Sequence, residues 1–580
     1  MRHLGWAGIW IASAWVASAL IAAPPYQVLI DRNVAETMRD GVVLRSDIYR
    51  PKGDDKFPVI LERTPYNKAQ GVDFGLKAAA SGYIVVIQDV RGRYASGGEW
   101  YPYRYESRDG YDSVEWAAAL PYANGKVGLY GGSYVGATVM LAAVARPPHL
   151  AALFSVETGD SYYEGWTYRG GALQQWLLQT WTSILAIDSL DRQAVKNAKI
   201  QDWARDLPAE KYPFLGKVNP RELAPYYRDW LSHPSYDGYW KQWALNFSNV
   251  SVPGYHIGGW YDVFSAGTVR AYSALRAQAA SAEARQGQRL IMGPWTHGGL
   301  AARKSGAVDF GPAAALDVEA LALRWFDYEL KGISNGLEKQ EPVRIFVMGA
   351  NVWRDEDAWP LSRARDTRYY IGSGGKANSL QGVGTLSSSE PHDEPADKIL
   401  YDPAHPAPTV GGNLCCGGIA PGAQDQRPVE SRNDVLVYST APFAEDFEVT
   451  GPVSADLFVS SSAVDSDITA KLVDVWPNGF AQNLAEGILR LRYRKSLEKP
   501  EFLNPGEVTR IRVDLGPISN VFRPKHRLRL EISSSNFPHF DRNPNTGEAI
   551  MDPKFAIQAT NAIYHDREHP SALILPVVTR

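Results

Sequence analysis

Lys126-Val127-Gly128-Leu129-Tyr130-Gly131-Gly132-Ser133-Tyr134-Val135-Gly136-Ala137-Thr138 is the stretch from which the rest of the chain can be read. Its apolar first half reads as a buried strand ending in two glycines. A serine follows, and 134–145 carries small and apolar residues suited to a helix until Pro147 and Pro148 stop it. The sequence therefore predicts strand, sharp turn, helix. A serine at such a turn is lifted out of its sheet in a strained conformation, and only small neighbours fit because strand and helix pass close together. The usual form is G-x-S-x-G; Gly131 fits it, but Val135 holds the second glycine position and Gly136 comes one residue later. A Gly-Gly-Ser turn by itself is often only a turn, so the role of Ser133 depends on what later strands supply.

A serine hydroxyl is a weak nucleophile, needing a base within hydrogen-bond reach and an acid to hold that base in the right tautomer. In folds with this turn the partners follow in the order serine, acid, histidine, each from a loop after a later strand. Two stretches meet the demand. The strand Tyr255-His256-Ile257 runs into Gly258-Gly259-Trp260-Tyr261-Asp262, and Leu290-Ile291-Met292 runs into Gly293-Pro294-Trp295-Thr296-His297-Gly298. Of the eleven histidines, His256 lies within a strand, His3, His149 and His233 precede the acid, and six fall in or near the C-terminal β region, which leaves His297. Each partner alone is an ordinary turn residue, and it is their joint occurrence in the required order that points to Ser133, Asp262 and His297 as a catalytic set. Attack on a carbonyl also needs donors for the oxyanion. The backbone N–H of Tyr134 is one candidate, and the Tyr66 phenol in Arg63-Thr64-Pro65-Tyr66-Asn67-Lys68 is the other, unless it merely closes a proline turn.

Outward from the serine, the chain alternates strand and helix. A hairpin is expected over 26–48, strands over 57–66, 83–89, 152–156, 252–257, 289–292 and 342–348, and helices over 74–81, 109–120 and 314–330. This rhythm predicts a mostly parallel sheet covered on both faces. Residues 161–245, rich in Trp, Tyr, Leu and Gln at helical spacing, read as a helical insertion. From about 365 onward short alternating runs punctuated by Gly, Pro and Asn suggest a sandwich or jelly roll. The expected class is α/β, divided as signal segment 1–23, core 24–150, helical cap 151–247, core 248–355 and β jelly roll 356–580.

Charge is nearly balanced at -4, with 60 basic and 64 acidic residues and no long run of either sign, so neither a nucleic-acid nor a membrane-surface partner is indicated. Arg2 followed by an apolar stretch to Leu20 reads as a secretory signal, with Ala17-Ser18-Ala19 as the cleavage site and Ala22 or Ala23 as competitors. An uncleaved anchor is the alternative. The mature chain is then expected to be periplasmic or secreted and off the membrane. Its two cysteines, Cys415 and Cys416, are adjacent. Two buried thiols are the expected reading and a strained disulfide between neighbours the alternative.

At this point the residues resemble a known family. Arg63-Thr64-Pro65-Tyr66, Asp89-Val90-Arg91-Gly92-Arg93 with Ser96-Gly97-Gly98, the Ser133 stretch, Gly259-Trp260-Tyr261-Asp262 and Gly293-Pro294-Trp295-Thr296-His297 are similar to the motifs of the cocaine esterase and X-Pro dipeptidyl-peptidase family. That family also holds α-amino-acid ester hydrolases and glutaryl cephalosporin acylases, and the displaced glycine is its habit. The resemblance implies an α/β-hydrolase core with a helical cap and a C-terminal jelly roll. It further implies Ser133 as nucleophile, His297 as base, Asp262 as its orienter, and Tyr66 with Tyr134 as the oxyanion hole, with no cofactor or metal. Members that act on free α-amino acyl groups carry two acids two and three residues after the triad aspartate; here those places are Phe264 and Ser265. Glu157, Asp160 and Glu164 remain as partial substitutes. Phe264 suits an apolar or aromatic acyl group, with Trp166, Trp176 and Trp181 as further walls, and Arg169 is a candidate for an acyl carboxylate. The expected partner is a small ester, amide or short peptide; a homo-oligomer stays open, as do an X-Pro dipeptidyl-peptidase, a glutaryl or β-lactam acylase and a binding protein on a hydrolase scaffold. A histidine base of ordinary basicity implies activity that falls as pH drops through roughly 6.5.

Overall fold

The computed structural model describes residues 26–197, 224–549 and 554–579. The signal segment expected over 1–23 lies outside the described residues, as does 198–223 of the expected helical insertion.

Ten strands build the main sheet: β1 (Val28–Thr37), β2 (Val43–Pro51), β3 (Phe57–Thr64), β4 (Ile84–Asp89), β5 (Ala123–Gly132), β6 (Leu150–Val156), β7 (Gly254–Tyr261), β8 (Gln288–Thr296), β9 (Val343–Val347) and β10 (Val352–Glu356). They lie in the order β1-β2-β4-β3-β5-β6-β7-β8-β9-β10. From β4 to β9 every neighbouring pair is parallel, and the hairpin β1–β2, its junction with β4 and the edge pair β9–β10 are antiparallel. The β4 run Ile84-Val85-Val86-Ile87 is buried throughout, as expected of a strand covered on both faces.

Helices α1 (Val72–Ala80), α2 (Glu106–Ala118), α3 (Tyr134–Val144), α4 (Gln175–Asn197), α5 (Pro225–Ser232), α6 (Ser265–Gln278) and α7 (Val318–Glu329) surround it. On one face Val114 and Ala117 of α2, Val139 and Met140 of α3 and Leu275 of α6 pack with Leu61, Val86 and Leu129. On the other, Phe74 of α1 and Trp325 and Phe326 of α7 pack with Ile60, Val85 and Phe154.

Two expectations shift. Leu150 already belongs to β6, paired in parallel with β5, so the division drawn at 150/151 cuts off a sheet strand, and the insertion proper starts after Val156. Its described part also holds a small hairpin, Tyr168–Arg169 with Ala172–Leu173, besides α4 and α5. The helix expected from 314 starts at Val318, where the Asp317 carboxylate accepts a hydrogen bond from the Ala320 N–H and caps it.

The C-terminal part is β-rich. Eleven strands from Ala364–Gly372 to Ala572–Val578 form one hydrogen-bonded network in which the long pair Phe447–Ser461 and Thr509–Phe522 runs antiparallel. Its core is not separate from the sheet: Leu457, Leu472, Leu484 and Leu515 pack in one cluster with Trp260, Met292, Ile345 and Phe346. Hydrogen bonds cross the same boundary, with the Tyr261 hydroxyl donating to the Asn483 carbonyl at 2.9 Å and the Gln482 amide donating to the Tyr261 hydroxyl at 2.9 Å.

Candidate active site

β5 ends at Gly132 and α3 begins at Tyr134, so Ser133 forms the whole turn, with φ 58° and ψ -126°. Its N–H donates to the Val156 carbonyl at 2.9 Å, which fixes the turn against β6. The packing accounts for the irregular motif. A Cβ on Gly131 would come within 2.4 Å of Val135 Cγ1, so the Val135 side chain fills the space that the first glycine vacates. A Cβ on Gly136 would lie 2.8 Å from Thr158 Cβ, so the closest approach of helix to strand falls one residue later than in the usual form. At the first position of α3 the Tyr134 N–H has no acceptor within the helix and is available beside Ser133.

Asp262 follows β7 directly and His297 follows β8 directly. The structure brings them to the serine: Ser133 Oγ lies 3.0 Å from His297 Nε2, and His297 Nδ1 lies 2.8 Å from Asp262 Oδ1. The carboxylate at one ring nitrogen calls for N–H there and leaves the other as acceptor of the serine proton. Burial alone would depress the His297 pKa, but the charge and hydrogen bond of Asp262, with Glu157 behind them, lift it to about 9. The working range expected from an ordinary imidazole therefore moves upward.

The Tyr66 phenol also reaches Ser133. Burial pushes its pKa up to about 12, opposed by hydrogen bonds with Trp181 and Ser133. Trp181 Nε1 donates to the phenol oxygen at 2.8 Å, which leaves the phenol's own proton to be given toward the serine. On the helix side the Tyr134 hydroxyl donates to Glu106 Oε1 at 3.1 Å, and Glu106 pairs with Arg63 at 3.0 Å, so the Arg63 of the tyrosine loop braces the residue after the serine.

Phe264, Trp166 and Trp181 come together in one buried cluster with Tyr134 and Tyr226, with Tyr66 packed against it. The Phe264 ring centre is 4.3 Å from that of Trp166 and 5.5 Å from that of His297. Trp176 does not join them: its indole donates to the Gly417 carbonyl at 3.0 Å and lies against Gly418. Cys415 and Cys416, expected as thiols, are joined in a disulfide. A left-handed Cys416, φ 74°, starts the turn that Gly417 and Gly418 continue, and both cysteines pack against the aromatic cluster.

The remaining acids and Arg169 are engaged elsewhere. Asp160 forms a two-pronged pair with Arg270 at 2.8 and 2.7 Å, Glu164 accepts from the Gly170 N–H, and Arg169 donates to the Glu486 carbonyl at 2.5 Å. Glu157 differs. It follows β6 directly in a left-handed conformation, φ 44°, which only a well-determined surround sustains in a residue with a side chain. Its Oε2 lies 3.9 Å from His297 Nδ1 and accepts the Gly298 N–H at 2.6 Å. Burial and the neighbouring Asp262 raise its pKa to about 8.

Asn413 is a further site residue to which the sequence alone assigns no role. From the C-terminal part it donates to the carbonyls of Asp262 at 2.8 Å and Trp260 at 3.2 Å and to Ser265 Oγ at 3.2 Å, holding the turn that carries the acid. A cavity of about 850 Å³ opens at Ser133 and His297, walled by Glu157, Leu300, Leu316 and Val318. The aromatic cluster lies outside this lining, so the serine stands between an aromatic side and an aliphatic one.

Comparison with known proteins accords with this arrangement. Residues 40–299 match the family model described as X-Pro dipeptidyl-peptidase (S15 family), and 335–574 match that of the X-Pro dipeptidyl-peptidase C-terminal non-catalytic domain. The chain is 39% identical to the cocaine esterase of Rhodococcus sp. (strain MB1 Bresler), over 94% of this chain and 98% of that protein. Among solved structures it is similar to an α-amino acid ester hydrolase, at 27% identity and TM-score 0.79 over 98% of this chain and all (100%) of the other. An aminopeptidase from the marine sediment archaeon Thaumarchaeota archaeon is similar at 26% identity and TM-score 0.79, over 96% of this chain and 97% of that one. The chain belongs to the family of serine hydrolases that joins cocaine esterase to the X-Pro dipeptidyl-peptidases.

Proposed function

We propose that this hydrolase cleaves small acyl esters, and amides more slowly, through an acyl-enzyme formed on Ser133. The observation that carries the reading is the unbroken line of hydrogen bonds from Ser133 Oγ through His297 to Asp262. In the first step Ser133 attacks the carbonyl carbon while His297 Nε2 takes its proton, and the oxyanion is met by the Tyr66 hydroxyl and the Tyr134 N–H. His297 then returns that proton to the leaving oxygen or nitrogen. Water enters, gives its proton to the same nitrogen and releases the acid, so that serine and imidazole end as they began.

The acyl group is assigned to the side of Phe264, whose ring stands 5.5 Å from that of His297 and is backed by Trp166, a flat apolar neighbour that suits an aromatic acid. Phe264 and Ser265 offer no charge to an ammonium, and Asp160 is taken by Arg270, so free α-amino acyl groups are poor candidates. An X-Pro dipeptidyl-peptidase is the second reading, favoured by the family model over 40–299 and disfavoured by the uncharged side chains at 264 and 265 and by the pairing of Asp160 with Arg270. The test is a fluorophosphonate probe with a substrate panel: labelling lost in Ser133→Ala, and turnover of phenyl benzoates well above that of Ala-Pro or Gly-Pro conjugates. Labelling that survives Ser133→Ala refutes the nucleophile, and a preference for the proline conjugates refutes the ester reading. The apolar start of the chain and the Cys415–Cys416 bridge support export to the periplasm or medium, checked by N-terminal sequencing of the exported protein.

A further inference from the structure

Glu157 is a buried acid at the site that the proposed relay leaves unused. It stands directly after β6 as Asp262 stands directly after β7, and these strands are parallel neighbours. The Glu157 N–H donates to the Ile257 carbonyl at 2.6 Å, which ties the two strand ends together. One imidazole thus meets two acids from adjacent strand ends, Asp262 at 2.8 Å and Glu157 at 3.9 Å from the same nitrogen. A movement of about 1 Å would bring the second into hydrogen-bond range. The Glu157 side chain is almost fully buried, and among the described residues its Oε1 has no hydrogen-bond partner. Its other oxygen is held by the N–H of Gly298, the residue next to the histidine itself. The Phe264 ring covers another side of the imidazole, and the acids across the cavity, Asp317 and Glu319, face Lys77 at 3.9 and 3.0 Å.

We propose that Glu157 is a second orienting acid for His297, sharing with Asp262 the task of holding the imidazole and balancing its charge, and able to take over part of that task when the Asp262 carboxylate is gone. Glu157 acts through His297 and is a positioning residue. The inference rests on the reading of Ser133, His297 and Asp262 given above. The raised pKa of His297, to which Glu157 contributes, agrees with it.

The test compares wild type, Asp262→Ala, Glu157→Gln and the double variant on a phenyl ester, with thermal melts to establish folding. Asp262→Ala leaves the turn's bonds to Asn413 in place, since these reach the Asp262 carbonyl and not its carboxylate. Where one acid works alone, its loss costs about 10⁴-fold in kcat. Here Asp262→Ala should cost about 10²-fold, and the double variant about 10²-fold more. Glu157→Gln alone should lower the pH midpoint of kcat/KM by about one unit, because above about pH 8, where the Glu157 carboxyl is ionised, it removes a negative charge beside the imidazolium, and Glu157→Asp should restore it. If the double variant is no slower than Asp262→Ala and the midpoint of Glu157→Gln does not move, the inference is wrong while Ser133 labelling in wild type keeps the parent reading intact. If wild type is neither labelled at Ser133 nor active on any ester, both fall.

Discussion

Tyr66 keeps its proton because burial disfavours the phenolate, and Trp181 fixes its oxygen from behind. Such a group gains most when negative charge appears in front of it, so Tyr66→Phe should lower kcat by about 10²–10³ with little change in KM, as seen for loss of one oxyanion donor. A change confined to KM, measured on a phenyl ester, would instead make Tyr66 a binding residue. The histidine yields a second prediction at this scale. A base works only when neutral, and the neighbouring acids favour the charged imidazole, so kcat/KM should rise with pH through a midpoint well above 6.5, toward 9. A midpoint at or below 6.5 would contradict the electrostatics described. Ser133, Asp262 and His297 were legible in the sequence because each follows a buried strand in glycine-rich chain. Glu157 was visible only as a spare acid, since nothing in the run from Phe154 to Thr158 tells which way a side chain turns. Asn413 was not legible, lying 151 residues from the turn it holds.

At the scale of elements, the turn between β5 and α3 explains its own spelling. Val135 fits above a bare Gly131, and the helix position that must also stay bare is Gly136, where α3 meets the exit of β6. Gly136→Ala should therefore destabilise the protein by about 1–3 kcal/mol through overpacking and slow fluorophosphonate labelling, both measurable by denaturant titration and probe kinetics. An unchanged midpoint and labelling rate would mean that the contact relaxes freely. The strand and helix rhythm of the core was readable because parallel strands buried on both faces leave long apolar runs. The edge strand β10, half exposed and rich in charge, carries no such run and was missed. So was the start of β6, since Leu150 directly follows the loop that Pro147 and Pro148 announce. The disulfide at 415–416 turned on backbone conformation, which composition does not reveal.

For the whole molecule, the β-rich C-terminal part shares one apolar cluster with β7, β8 and β9 and sends Asn413 to the acid's turn. Asn413→Ala removes donors to two buried carbonyls. It should cost about 1–3 kcal/mol of stability and lower kcat more than KM, with heat inactivation of esterase activity coinciding with loss of tertiary structure. Activity that outlasts the unfolding of the β-rich part would show the two to be independent. The sequence separated these regions by rhythm, which tells where one pattern stops and not how the pieces lean on each other. The clamp at Asn413 also sets an order of events during synthesis. Ser133, Asp262 and His297 leave the ribosome first, yet the acid's turn lacks its clamp until Asn413 emerges far later, so the nascent hydrolase should not reach full activity until the chain has grown well past that residue.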